Sequence, residues 1–143
     1  MKKQGIFFSD AAPGVFANRE TLYYLLALLN TKYANEIIKL INPTLNFVPG
    51  AVSSVPVKKD EKNKGKIIEI AEGNVQLSEQ DWDSFETSWD FKKHPLLQNV
   101  STISEAFNQW QAECDDRFNQ LKTNEEELNR IFIDIYGLQD ELT

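Results

Sequence analysis

The sequence predicts a mainly α-helical fold with a small β element at its N-terminal end, built as a helical hairpin followed by one long amphipathic C-terminal helix. Two observations predict this class. Apolar residues recur at helical spacing along most of the 143 residues, and the short apolar runs typical of strands are confined to the first 57. The predicted divisions are 1–57, with short strands and two helices, a charged linker at 58–66, and a helical spacer or interaction segment at 67–143.

The β element is expected near the start of the chain. Gly5–Ser9 and Val15–Ala17 are short apolar runs around a turn at Asp10–Gly14, which predicts two short strands. Val55–Val57 is expected to be at most an edge strand, because Pro56 has no amide hydrogen to donate. A chain that opens on a strand without an earlier partner strand is expected to come from a longer protein.

Two helices are expected next. Asn18 or Arg19 begins a helix that runs to Leu29 and is apolar nearly all round, so it is expected to be buried. Thr31 is placed to cap a second helix, whose apolar residues also recur at helical spacing. Asn42–Pro43 ends that helix, since proline disfavours the helical conformation in the residue before it.

The charged stretch 58–66 (KKDEKNKGK) contains no apolar residue and is the expected internal boundary. A short helix is predicted at Ile67–Val75. Ser78–Asp81 resembles a capping box and predicts the start of another helix, with aromatic residues at helical spacing. The dipeptide His94–Pro95 is expected to stop that helix.

The last helix is marked at both ends. Thr102 and Glu105 form a capping box at its start, and Gly137 is placed to end it. Its length of about 34 residues corresponds to roughly 50 Å, too long for so small a globule to cover. A break at Thr123–Asn124, where a second Thr-x-x-Glu occurs, is the alternative. The apolar stripe of this helix consists of Phe107, Trp110, Cys114, Phe118, Leu121, Leu128, Phe132 and Ile135.

Charge is distributed unevenly along the chain. The first 66 residues have ten Lys/Arg and five Asp/Glu, whereas the remaining residues have five and seventeen. The positive first part is suited to approach phosphate, and the negative second part is suited to water or to a basic protein surface. Two surfaces with different partners are therefore expected.

The composition excludes several chemistries. One cysteine, Cys114, and one histidine, His94, cannot form an internal disulfide or a Cys/His zinc site, so we expect no metal and a reducing, cytoplasmic setting. Cys114 is expected to be a buried, inert thiol, and His94 is expected to have a structural or solvated role. The longest apolar run, Leu22–Leu29, is far shorter than the roughly 20 residues of a membrane helix, so no membrane partner is expected. No P-loop or dinucleotide fingerprint occurs in the sequence.

Four carboxylates lie close together in sequence, at Asp81, Asp83, Glu86 and Asp90. They lack the glycine turn and the third ligand of a calcium loop, so a solvated helix face is expected. A small hydrolase that used Asp81 and Glu86 would require these two carboxylates to meet in a cleft.

Two sets of side chains are candidates for binding. The lysines predicted to contact DNA phosphates as point charges are Lys32, Lys58, Lys59, Lys62, Lys64 and Lys66, with Lys92–Lys93 as an addition. The alternative is that these lysines are simply solvated, since Asp60 and Glu61 dilute the run. The candidate aromatic interface consists of Trp82, Phe85, Trp89 and Trp110, which would otherwise belong to a core.

Three stretches resemble known methyltransferases. Residues 24–57 (YLLALLNTKYANEIIKLINPTLNFVPGAVSSVPV) resemble the end of the target-recognition region of restriction-modification methyltransferases, in which a Leu-Leu-x-Leu-Leu-Asn-Ser/Thr-Lys helix precedes a turn. Residues 77–97 (LSEQDWDSFETSWDFKKHPLL) and 119–143 (NQLKTNEEELNRIFIDIYGLQDELT) resemble the adenine-specific methyltransferase of BREX phage-defence systems, the PglX family. Asn42–Thr44 lacks the second proline and the aromatic residue of the Asn-Pro-Pro-aromatic motif that holds the flipped base in such enzymes, and it is interpreted as a helix stop.

The resemblance implies a large enzyme that transfers a methyl group from S-adenosylmethionine to N6 of adenine in double-stranded DNA. This chain has none of the family's cofactor-binding motifs, so no cofactor is expected here and the methyltransferase domain is expected upstream. Other defence-system proteins, and a second copy of the chain, are further expected partners.

Two functions follow from these observations. The favoured one is a noncatalytic segment that assists target-site binding and positions domains, and it predicts basic residues that converge on one face. The alternative is a spacer that binds other defence proteins without touching DNA. That alternative predicts scattered lysines and an exposed apolar patch.

Overall fold

The computed structural model describes residues 14–43, 48–97 and 100–142. Its helices are α1 (Arg19–Leu29), α2 (Lys32–Ile41), α3 (Pro49–Ser53), α4 (Lys64–Trp82) and α5 (Ile103–Tyr136), with a short 3₁₀ helix at Pro95–Leu97. The mainly helical class and the long C-terminal helix are confirmed. None of the helices in these ranges combines the length and apolar character that a bilayer crossing requires.

The chain forms two compact units. Unit 1 comprises the described residues up to Ala71 together with those from Glu126 onwards, and unit 2 comprises Glu72–Glu125. Helices α4 and α5 therefore each contribute to both units. The division at a 58–66 linker stays a prediction; in the structure, residues 58–63 precede α4 and residues 64–66 are its first three.

The predicted β element is not found in the described ranges. Val15–Ala17 is irregular and exposed, and it leads directly into the cap of α1. A strand requires a partner for its backbone groups, and the described segments provide none. Pro49 begins a short helix, where its missing amide hydrogen is not needed, and Val55–Val57 forms no ladder. The first predicted strand, Gly5–Ser9, lies outside the described residues.

The hairpin of α1 and α2 begins and ends as predicted. The Asn18 side chain accepts a hydrogen bond from the Thr21 amide at 2.9 Å, and the Thr31 hydroxyl accepts one from the Ala34 amide at 3.3 Å. Only two residues separate the helices, and α2 stops immediately before Asn42–Pro43. Local capping and proline sterics therefore determine these boundaries.

The core of unit 1 joins helices that are distant in sequence. Leu28 of α1, Ile67 of α4 and Phe132 of α5 are fully buried, and Tyr24 packs edge-on against Phe132 with ring centroids 5.6 Å apart. Burying such a side chain stabilises the fold by about 1.5–3 kcal/mol. The other four leucines of α1 are only half-buried, so the prediction of burial on all sides is wrong.

Helix α4 is longer than predicted. It begins at Lys64, inside the charged stretch, and continues through Ser78–Asp81 to Trp82, so no helix starts at Ser78. After Trp82 the chain forms successive turns rather than the predicted aromatic helix. There the Ser84 hydroxyl donates to the Asp81 carbonyl at 2.6 Å, and such local bonds compete with helix formation.

Helix α5 has the predicted ends. The Glu105 amide donates to the Thr102 hydroxyl at 3.2 Å, while the Glu105 carboxylate accepts from the amides of Ser101 and Thr102. This is a complete capping box. Gly137 follows the last helical residue with φ 70°, a left-handed conformation that glycine adopts without steric cost.

Helix α5 is continuous through Thr123–Asn124, so the alternative of a break is wrong. The Thr123 hydroxyl donates to the Asn119 carbonyl at 2.9 Å within the helix. The Asn124 amide donates to the Asn74 side chain of α4 at 2.7 Å, and its oxygen accepts from Gln120. Both side chains are thus occupied without capping a new helix start.

Candidate functional site

Three tyrosines hold the segment that enters α4. The Tyr24 hydroxyl donates to the Lys58 carbonyl at 2.8 Å. The Tyr136 hydroxyl donates to the Pro56 carbonyl at 2.6 Å and accepts from the Lys58 amide at 2.9 Å. Tyr33 also donates to the Pro56 carbonyl, and its ring stacks on Tyr136 with centroids 3.8 Å apart. We call Tyr24, Tyr33 and Tyr136 the tyrosine clamp.

Two tyrosines of the clamp, Tyr24 and Tyr33, lie where burial favours the protonated hydroxyl. Burial raises the pKa of Tyr24, and burial followed by the nearby Tyr136 raises the pKa of Tyr33 to about 12. Both therefore remain hydrogen-bond donors at neutral pH. The Lys58 ammonium donates to the Ile135 carbonyl at 2.7 Å, near the C-terminus of α5, where a positive charge is favourable.

Besides Lys58, two of the lysines predicted to contact DNA are occupied within unit 1, in this case by ion pairs. Lys64 pairs with Glu20 at 2.8 Å, and hydrogen bonding to Lys64 lowers the pKa of Glu20. Lys66 pairs with Glu127, which also pairs with Arg130 at 2.7 Å. Hydrogen bonds from Arg130 and Lys66 lower the pKa of Glu127 to about 2. These two lysines would have to leave a carboxylate in order to bind phosphate.

The remaining predicted lysines are exposed. Neither the Lys59 nor the Lys62 ammonium group is in an ion pair with another residue of the described ranges. Lys32 lies at the start of α2, and its backbone amide donates to the Asn129 side chain at 2.7 Å. Among the lysines of the charged stretch, Lys59 and Lys62 are therefore the ones available to an external anion.

The charge asymmetry of the sequence changes when it is counted by compact unit. The stretches assigned to unit 1 contain eleven Lys/Arg and eleven Asp/Glu, which cancel, and unit 2 contains four and eleven. The C-terminal part of the chain, with five carboxylates and Arg130, compensates the positive first part within unit 1. The whole net charge of -7 consequently belongs to unit 2.

The predicted aromatic interface lies in unit 2, and three of its four residues are exposed. Trp89 is fully exposed, Trp82 is 59% exposed and Phe85 is 45% exposed. All three belong to residues 82–91, which we call the aromatic loop. Large exposed aromatic side chains at neighbouring positions are typical of interaction surfaces.

Trp110 occupies a different environment from the other three. It is half-buried in unit 2, with its ring 5.5 Å from that of His94 and 6.3 Å from that of Phe107. Its indole N–H is buried and meets no acceptor within the described ranges. Trp110 therefore contributes mainly to internal packing.

The carboxylates of unit 2 lie mostly at exposed positions in the described part of the chain. Asp81 and Glu86 are both exposed, and Asp81 pairs with Arg117 at 3.4 Å. No group of three potential metal ligands occurs among the residues that the structure describes. The His94 ring accepts a hydrogen bond from the Leu96 amide at 3.1 Å, and Cys114 lies 3.2 Å from Arg117, which are structural contacts.

The tyrosine clamp was not predicted from the sequence. The helical spacing of Tyr24 and Tyr33 indicates a buried face, but the partners of their hydroxyls are backbone groups from residues 56–60. Tyr136 lies 80 residues from Pro56 along the chain. No local sequence pattern predicts a contact between residues so far apart.

Two curated proteins are similar to this chain along nearly its whole length. Adenine-specific methyltransferase PglX of Lacticaseibacillus casei (strain Zhang) is 45% identical over 146 residues, which cover 97% of this chain. Adenine-specific methyltransferase BrxX of Escherichia coli O9:H4 (strain HS) is 32% identical over 143 residues, which cover 98% of this chain. The chain belongs to the PglX family.

The PglX resemblance of residues 77–97 and 119–143 is thereby confirmed, and the similarity extends over both compact units. The chain spans about 12% of the length of the curated relatives it matches. No protein-family profile matches the chain.

Proposed function

We propose that this chain is a noncatalytic segment of a PglX-type adenine-specific DNA methyltransferase of BREX phage defence, which positions domains of the parent enzyme and assists its binding to DNA. The observation that carries the proposal is the 45% identity to PglX over 97% of the chain. The sequence contains no Asn-Pro-Pro-aromatic motif, so S-adenosylmethionine and the reacting adenine belong to another domain of the parent.

The positioning role is supported by the way unit 1 holds its connecting segment. The tyrosine clamp fixes the backbone of residues 56–60 with hydrogen bonds from three helices. Lys58 adds a bond to the end of α5. A segment held in this way transmits orientation along the chain, which a flexible linker does not.

The assistance to DNA binding is assigned to Lys59 and Lys62. Their ammonium groups are exposed, whereas Lys58, Lys64 and Lys66 are occupied within unit 1. Lysines that contact phosphate position the protein and make its affinity depend on salt, without reading sequence.

The test is a salt-dependent titration of the 143-residue chain with duplex DNA. The double variant Lys59→Ala/Lys62→Ala is expected to reduce the slope of log affinity against log salt by about 2, since each phosphate contact contributes about 0.9. The control Lys92→Ala/Lys93→Ala removes the same charge from unit 2 and is expected to leave the slope unchanged. Equal effects of the two variants would contradict the assignment.

A second candidate function is a protein-interaction spacer that makes no DNA contact. It is favoured by the aromatic loop and by the net charge of -7 on unit 2. Failure of the unaltered chain to bind duplex DNA at low salt would favour this spacer over the DNA-assisting role.

A further inference from the structure

The aromatic loop presents rings to solvent on a fixed backbone. The Ser88 hydroxyl donates to the Asp83 carboxylate at 2.5 Å and accepts from the Asp90 amide at 3.1 Å, and Ser88 itself is buried. Further turn bonds join the Phe85 amide to the Trp82 carbonyl and the Ser88 amide to the Phe85 carbonyl. Because the loop is already ordered, little conformational entropy is lost when a partner binds to it.

The ring most exposed in this loop is Trp89. Its side chain is as accessible as in an extended chain, so it contributes almost nothing to the packing of unit 2. Tryptophan is the residue type most enriched at the energetic centres of protein interfaces. A fully exposed tryptophan between ordered turns therefore indicates a contact made to another molecule.

The charge around this loop selects the kind of partner. The loop contains the carboxylates Asp83, Glu86 and Asp90, and Asp81 lies at the adjoining end of α4. No basic residue lies between Asp81 and Asp90. Lys92–Lys93 follow the loop and Arg117 pairs with Asp81, which offsets part of this charge, but unit 2 as a whole keeps a net charge of -7. The negative potential disfavours the phosphates of DNA and favours a cationic protein surface.

We propose that the aromatic loop binds an arginine-bearing protein surface outside this chain. A guanidinium group can stack on a tryptophan ring and form paired hydrogen bonds with a carboxylate, and the aromatic loop exposes a group of each kind, Trp89 and Glu86. A lysine ammonium makes a point contact and cannot combine the two interactions as well. The inference rests on the proposed function, since a positioning segment requires a protein contact.

The test uses the 143-residue chain and short fluorescent peptides in which alanine alternates with arginine, lysine or neutral citrulline. The arginine peptide is expected to bind about tenfold more tightly than the citrulline peptide and more tightly than the lysine peptide. Trp89→Ala is expected to weaken arginine-peptide binding about tenfold, and Glu86→Gln about threefold. Phe118→Ala, which removes an exposed ring outside the loop, is the matched control and is expected to have no effect.

A duplex DNA titration of the same variants separates this inference from the proposed function. Trp89→Ala is expected to leave DNA affinity unchanged, because the loop is not a phosphate-binding surface. The inference is wrong if the citrulline peptide binds as well as the arginine peptide, or if Trp89→Ala weakens DNA binding instead. Failure of the Lys59→Ala/Lys62→Ala prediction, by contrast, would count against the DNA-assisting role and leave the loop unaffected.

Discussion

Most described aromatic residues of unit 1 are buried, whereas most of those in unit 2 are exposed. In unit 1, Phe132 is fully buried and Tyr24 packs against it. In unit 2, Trp89 and Phe118 are exposed, and the buried residues among those that the structure describes there are Ser88 and Ala106. Unit 1 is therefore stabilised by its own core, whereas unit 2 leaves apolar surface available to a partner.

The two units also differ in how their charges are satisfied. Unit 1 is neutral, and its cations Lys64, Lys66 and Arg130 all meet carboxylates. Unit 2 has a net charge of -7 and four basic residues. The comparison indicates a structural body that leaves Lys59 and Lys62 exposed in one case and an acidic aromatic surface in the other, although both contain parts of the same two helices.

Two phenylalanines of α5 provide the strongest test of the difference between the units. Phe132→Ala removes a fully buried ring from unit 1 and is expected to destabilise the chain by about 3–5 kcal/mol. Phe118→Ala, in the same helix but 66% exposed in unit 2, is expected to change stability by less than about 0.5 kcal/mol. Urea unfolding measures both, and similar costs would mean that unit 2 has a core of its own.

A smaller loss of stability is expected when the tyrosine clamp loses one hydroxyl. Tyr136→Phe keeps the stacked ring but leaves the Lys58 amide and the Pro56 carbonyl without this partner, at a cost of about 1–3 kcal/mol. Trypsin cleavage after Lys58, Lys59 and Lys62 is expected to accelerate.

The control for the clamp is Tyr23→Phe. Tyr23 is buried in unit 1, and its hydroxyl bonds to none of the residues that the structure describes. We expect cleavage at the unaltered rate in this variant. Unchanged cleavage in Tyr136→Phe would show that the clamp does not hold the segment.

The smallest effect concerns acid stability. The pKa of Glu127 is lowered to about 2 from the ordinary 4.5, so its ion pairs stabilise unit 1 fully above about pH 5 and are lost as the pH falls towards 2. Because Lys66 and Arg130 are largely exposed, we expect a contribution of about 1 kcal/mol.

Stability curves from neutral to acidic pH test this contribution. Glu127→Gln is expected to reduce the acid-dependent loss of stability relative to the unaltered chain, and Glu113→Gln in unit 2 is expected to leave it unchanged. Parallel curves for the unaltered chain and Glu127→Gln would exclude a role of this carboxylate in acid stability.

Sequence patterns were sufficient to predict the elements that depend on neighbouring residues in the chain. The caps at Asn18, Thr31 and Thr102, and the ends at Asn42–Pro43 and Gly137, were all predicted, because capping bonds and backbone sterics act over three or four residues. The PglX resemblance was likewise readable from contiguous motifs.

Local patterns were insufficient where a tertiary contact competed with them. Thr102 and Thr123 both begin a Thr-x-x-Glu pattern, but only Thr102 caps a helix, since Asn124 bonds to Asn74 across to α4. The predicted helix start at Ser78 failed for a related reason, because α4 continues through it. The same side chains permit more than one local structure, and packing selects one.

Which charges and rings remain available to a partner depends on the tertiary structure. The sequence predicted six lysines as one basic set, but carboxylates and a carbonyl brought from distant residues occupy Lys58, Lys64 and Lys66. It grouped Trp110 with Trp89, although one packs inside unit 2 and the other faces solvent. The burial and ion pairing of a side chain depend on its neighbours in three dimensions. Many of these neighbours are distant in sequence, so a local sequence pattern does not predict them.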